Sequence, residues 1–228
     1  MEIELTKKPK NVTIIEGFPG FGLVSTISTE YLVQHTNAKQ IGRIKIKEVP
    51  PVVAVHKGSV IEPIGIFYSK KYNLIILYAL VPVKNFEWKI ADVIEKLAKQ
   101  LNAKEIISIE GVAGPGDEIY YLTNKKDNLG KLNLNKLKEG IVVGVTGALL
   151  LKQKLPVSCI FAETKTGLPD SRAAAKVIKV LDDYLNLKID YRPLIKKAEE
   201  FEGKIKNLIS KSKEVLKQKE KKNLSYFG

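Results

Sequence analysis

Residues 11–35 read NVTIIEGFPGFGLVSTISTEYLVQH, and the change of pattern inside this stretch decides the fold class. Asn11 to Glu16 is a short run of mostly apolar and β-branched residues, the composition of a buried strand. Gly17-Phe18-Pro19-Gly20-Phe21-Gly22 interrupts it, and Leu23 to His35 then continues as a helix. Strand, glycine-rich turn and helix in that order open an α/β unit.

Outward from there the alternation persists. Gln40 to Lys47 and Val52 to Val55 read as strands separated by Pro50-Pro51. Val60 to Tyr68 and Leu74 to Leu80 form a hairpin around Ser69 to Asn73, with Pro63 placing the first strand at a sheet edge. Asn85 caps a helix from Phe86 to Leu101 whose apolar stripe is Trp88, Ala91, Ile94, Leu97, Ala98 and Leu101. Strand Glu105 to Ile109 leads into a second glycine-rich loop, Glu110 to Gly116, and Ile119 to Thr123 follows as a short strand. Ile141 to Val145 reads as a further strand, Gly147 to Lys154 as a short helix, Val157 to Ala162 as a buried strand. Pro169-Asp170 opens a helix from Ser171 to Tyr184. The whole predicts a three-layer αβα sandwich with a mostly parallel mixed sheet over residues 1–186.

At 228 residues the chain supports one large domain plus an appendage. The longest apolar run, Ile141 to Leu151, is too short for a membrane helix, and the N-terminus lacks an export signal, so a cytoplasmic protein is expected. Cys159, the single cysteine, excludes an internal disulfide. Net charge is +13, but only Arg43, Arg172 and Arg192 of 38 basic residues are arginine. Dispersed lysine speaks for a solvated surface and against nucleic-acid recognition, which favours the arginine fork. Lys188 to Lys222 holds 12 basic and 6 acidic residues, a local +6 that can steer an acidic partner.

Past Pro193, Leu194, Ala198, Phe201, Ile205, Leu208, Ser212 and Val215 keep alternating spacings of four and three, a heptad seam that suits self-association better than packing on its own domain. Residues 187–222 thus read as a long heptad helix with a lysine-rich spacer, and 223–228 as a tail. Its end, Tyr226-Phe227-Gly228, sets two rings beside a carboxylate and suits either docking into a partner's pocket or folding back onto its own domain.

No catalytic site assembles from these residues. Gly17, Gly20 and Gly22 are spaced GxxGxG rather than as a dinucleotide fingerprint, and no lysine-serine pair follows. Phosphate binding at this loop, with Glu110 or Asp117 supplying chemistry, is the alternative reading: a nucleoside- or nucleotide-handling enzyme. His35 and His56 lie far apart in sequence, and neither a metal nor a cofactor is expected.

Glu16-Gly17-Phe18-Pro19-Gly20-Phe21-Gly22-Leu23-Val24-Ser25 resembles the glycine-loop signature of the archaeal homologues of proteasome assembly chaperones. Glu110 to Gly114 and Pro169 to Ala174 look like two further segments of that family. The resemblance implies a core similar to purine nucleoside phosphorylases, no established catalysis, and homo-oligomers of four or five copies. It also implies binding to proteasome α-subunits or the α-ring, in assembly or ATP-independent activation. Tyr226-Phe227-Gly228 is similar to the hydrophobic-tyrosine-any tail of proteasome activators, with Phe227 where tyrosine is usual.

Overall fold

Strands that bury both faces sit at the centre of this molecule, and strands with one polar face flank them. The computed structural model describes residues 1–47, 54–56, 59–114, 118–126, 128–152 and 154–199, with backbone alone for 54–56 and 59–61. Along the chain these hold β1 (Glu2–Leu5), β2 (Thr13–Gly17), α1 (Val24–His35), β3 (Lys39–Lys45), β4 (Ala54–His56), β5 (Ser59–Ile61), β6 (Ile64–Ser69), β7 (Leu74–Ala79) and α2 (Glu87–Leu101). There follow β8 (Glu105–Ala113), β9 (Ile119–Thr123), β10 (Asn135–Lys136), α3 (Gly144–Leu150), β11 (Val157–Thr164) and α4 (Ser171–Leu185). Nine strands form one sheet in the order β1-β3-β6-β7-β2-β8-β11-β9-β10, and β4 and β5 pair separately.

Residues adjacent in a central strand go to opposite layers, as the period of two requires. Ile14, Ile75 and Ile106 pack with Ile90, Ile94 and Leu97 of α2 and Val145 and Leu149 of α3. Ile15, Ile76 and Ile107 pack on the other face with Val24 and Leu32 of α1 and Val177, Ile178 and Leu181 of α4. This is the expected αβα sandwich. Its parallel part is the centre, β7-β2-β8-β11, while β1, β3, β6 and β9 join in antiparallel pairs.

Several local expectations are corrected. The run from Val60 to Tyr68 is two strands in different sheets, β5 and β6, with Pro63 in the break. β6 is flanked by β3 and β7, so it is interior, and Pro63, which has no N–H to donate, ends the pairing instead of marking an edge. Asn85 does not cap α2: it takes a left-handed conformation (φ 70°), and Phe86 holds the cap position without a side-chain bond. Trp88 leaves the helix's buried stripe and is 58% exposed. Ile141 to Val145 is no strand. Ile141 is 93% and Val143 72% exposed, while Gly144 at φ 74° turns the chain into α3, which takes Val145 into the core. A short apolar run cannot be assigned from periodicity alone, and here helix packing claims its last residue.

Residues 192–199 are helical, and their first apolar positions face inward: Leu194 is buried in the layer of α1 and α4, and Ala198 is buried as well. The remaining seam positions Phe201, Ile205, Leu208 and Val215, and the tail, lie outside the described residues.

Candidate functional site

In parallel strands the carboxyl ends all point one way, so the loops that follow β2, β8 and β11 gather at one edge of the sheet. That edge brings together the three sequence segments singled out above. Gly22 and Leu23 both take left-handed conformations (φ 65° and 48°) and swing the chain from β2 into α1. A Cβ on Gly111 of β8 would lie 2.0 Å from the carbonyl oxygen of Phe21, and one on Gly22 would lie 2.8 Å from Thr164 of β11. The Asp170 amide donates to the Gly22 carbonyl at 2.9 Å. The Asp170 carboxylate receives the Thr164 hydroxyl at 2.7 Å and the Arg172 and Ala173 amides at 3.0 and 2.9 Å. One aspartate therefore caps α4 and ties its start to β11.

The glycine loop is a packed turn. Phe18 enters the core, Phe21 lies at the surface, and Ser25 donates to the Phe18 carbonyl at 2.5 Å. Ser25 is thus a pin for the loop, and Thr29 bonds the Ser25 carbonyl at 2.9 Å. Opposite Gly20 stands the Glu110 carboxyl, its Oε2 2.9 Å from where a Cβ would be. A carboxylate facing the loop repels phosphate, which removes the support for the nucleotide-handling alternative.

Behind the loop runs a row of polar groups, Glu16 on β2, Ser108 on β8, Thr146 on α3 and Glu110 on β8, of which the sequence reading gave a chemical role to Glu110 alone. Ser108 Oγ is in contact with Glu16 Oε1 and lies 2.6 Å from Thr146 Oγ1, which donates to Glu110 Oε1 at 3.0 Å. Three contacts need three protons, and two hydroxyls supply only two. A proton on one of the two carboxyls completes the row. Burial favours this: it pushes the Glu16 carboxyl up to about 8, with the nearby Glu110 charge acting the same way against the Ser108 bond. Burial likewise raises Glu110 to about 7, opposed by the Thr146 bond. The Cys159 thiol, buried beside both, is pushed up and stays protonated. A signal for Glu16 existed, since it stands in an otherwise apolar strand.

Glu118 accepts from Asn135 Nδ2 at 2.9 Å, and Asp117 lies outside the described residues. His35 stacks on Tyr31 with ring centroids 3.7 Å apart and contacts the Tyr31 carbonyl at 2.9 Å, a helix-end role. Among the described residues no group of three or more His, Cys, Asp or Glu is placed to hold a metal ion.

The fold and this edge define an α/β protein whose glycine-rich loops are built for packing. The chain belongs to the PAC2 family, whose pattern matches residues 14–209. It is similar to the crystal structure of Pyrococcus furiosus PbaA, described as an archaeal homolog of proteasome-assembly chaperone, at 26% identity over 99% of both chains with a TM-score of 0.86. Pyrococcus furiosus PbaB, described as an archaeal proteasome activator, shares the fold at 22% identity and a TM-score of 0.77, over 91% of this chain and 98% of PbaB. An uncharacterized protein of Methanocaldococcus jannaschii is 28% identical, over 96% of this chain and 94% of its own length.

Proposed function

We propose that this protein is a non-catalytic scaffold of the proteasome assembly chaperone type, acting as a homo-oligomer on proteasome α-subunits or the α-ring. The observation that carries the reading is full-length similarity to PbaA at 26% identity, together with PAC2 membership. The packed glycine loop, with a carboxylate where a phosphate would sit, agrees with a role that needs no cofactor. Among the described residues no helix is long and apolar enough to cross a membrane, in keeping with a cytoplasmic site of action.

Leu194 and Ala198 are covered within the chain's own domain, so they anchor the start of the C-terminal helix. Phe201, Ile205, Leu208 and Val215 are then the positions assigned to contact between copies. Tyr226-Phe227-Gly228 is assigned to docking: the rings supply apolar burial and the carboxylate pairs with a pocket lysine. Phe227 in place of tyrosine loses one hydrogen bond, about 1 kcal/mol. Several tails presented by one oligomer offset that weakness through effective concentration. The test is capture of purified α-subunits by the full chain and by a chain lacking Tyr226 to Gly228. Loss of capture on truncation is expected; undiminished capture would end the tail's role.

A further inference from the structure

A second feature of the carboxyl edge is independent of the tail. A cavity of about 640 Å³ opens between the ends of β8, β9 and β11 and the segment before α3, within the size range of ligand sites. Val112, Leu137, Ile141, Val142, Val143 and Phe161 make its apolar wall. Its partly buried polar groups are Glu110, Glu163 and Tyr120, while Lys136, Lys138 and Glu139 stand exposed at the rim. Tyr120 donates to Glu163 at 3.4 Å, and its ionisation is pushed up by burial and then by the Glu163 charge and hydrogen bond and the Glu118 charge.

Two inward glutamates of β8 are treated differently. Glu105 has the Lys125 ammonium at 2.6 Å, together with the Ser158 and Tyr184 hydroxyls. Glu110 has only the Thr146 hydroxyl on Oε1, and Oε2 has no hydrogen bond or ion pair among the described residues. Glu110 is partly buried at the cavity, and an ionised carboxylate half-removed from water gains from a cation brought to it. We propose that this cavity binds an alkylammonium group carried on an apolar body, with Glu110 as its ionic anchor and the Ile141–Val143 segment as the wall for the carbon chain. The ammonium comes either from a free amine or from a lysine side chain of a partner segment.

Calorimetry on the full chain separates these sources with butylamine and an acetylated Leu-Lys-Leu amide, each against its uncharged isostere, butanol and the norleucine peptide. Binding of butylamine assigns the site to free amines, and binding of the peptide alone assigns it to lysine; either supports the proposal. E110Q should weaken the bound probe about tenfold. I141S, at an exposed position that folding does not need, should weaken it by a smaller factor and leave methylamine unaffected. The probe stays charged, so its affinity should rise with pH through about 7, where Glu110 ionises in the native protein. Glu16 and the protonated Cys159 stand behind Glu110, while Glu163, Glu139, Tyr120, Lys136 and Lys138 face the cavity. Equal binding of the uncharged isosteres, no binding of either ammonium probe, or affinity flat across about pH 6–8 would overturn the proposal, whether or not E110Q folds.

Discussion

Glu16 holds a proton that the unfolded chain would release, and this couples stability to pH. Its carboxyl titrates near 8 in the folded protein against 4.5 in the free group, and Glu110 near 7. Where the folded state binds more protons than the unfolded, stability falls as pH rises. The favourable contribution is complete below about pH 4.5 and is lost progressively up to about pH 8. Denaturant midpoints should therefore fall between about pH 5 and 8, and E16Q should flatten that slope and exceed the wild type at about pH 8. Glu95 acts oppositely: Lys152 and Lys99 hold it down to about 2, so its contribution is lost only as acid is added below 4.5. Gly111 illustrates a different constraint. Its Cβ position lies 2.0 Å from a backbone oxygen that cannot rotate away, so Gly111→Ala should cost about 3 kcal/mol in urea unfolding. The sequence marks Gly111 as part of a loop, yet the need for it arises in the middle of β8, where another loop crosses over.

At the scale of elements, the strong periodic patterns were legible and the short ones were not. α2 and α4 have apolar positions at helical spacing with polar residues between, and both occur within a residue or so of the expected bounds. Asp170 was readable as a cap because an aspartate before a helical run satisfies two amides that would otherwise lack partners. Asp170→Ala should lower stability by about 1–2 kcal/mol, measured by thermal or urea unfolding, and should also loosen the Thr164 contact. The edge pieces β1 and β10 escaped notice. β10 has two residues, both exposed, and its pairing to β9 supplies what its composition lacks. The segment at Ile141 misled because burial, which a strand reading presumes, is decided by what lies opposite.

For the whole molecule, the decisive event is convergence. Glu16 to Ser25, Glu110 to Gly114 and Pro169 to Ala174 are spread over some 160 residues and meet at one sheet edge because β2, β8 and β11 lie side by side in parallel. The C-terminal helix begins as part of this body through Leu194 and Ala198. A chain ending at Glu199 should accordingly keep a cooperative melting transition close to that of the full chain. It should also have a lower subunit number by native mass spectrometry, and no capture of α-subunits. An unchanged subunit number would place the contact between copies on the α/β body.

The layer architecture, the central strands, the main helices and the family were in the residues themselves, because period-two and helical apolar patterns and a ten-residue loop signature are local properties. Which residues share a site was not. Glu16, Ser108, Thr146 and Glu110 are brought into one hydrogen-bonded row only by strand order and by the packing of α3. Only that tertiary burial raises two ordinary glutamates toward neutrality, since desolvation depends on what surrounds a group in space and not on its neighbours in the chain.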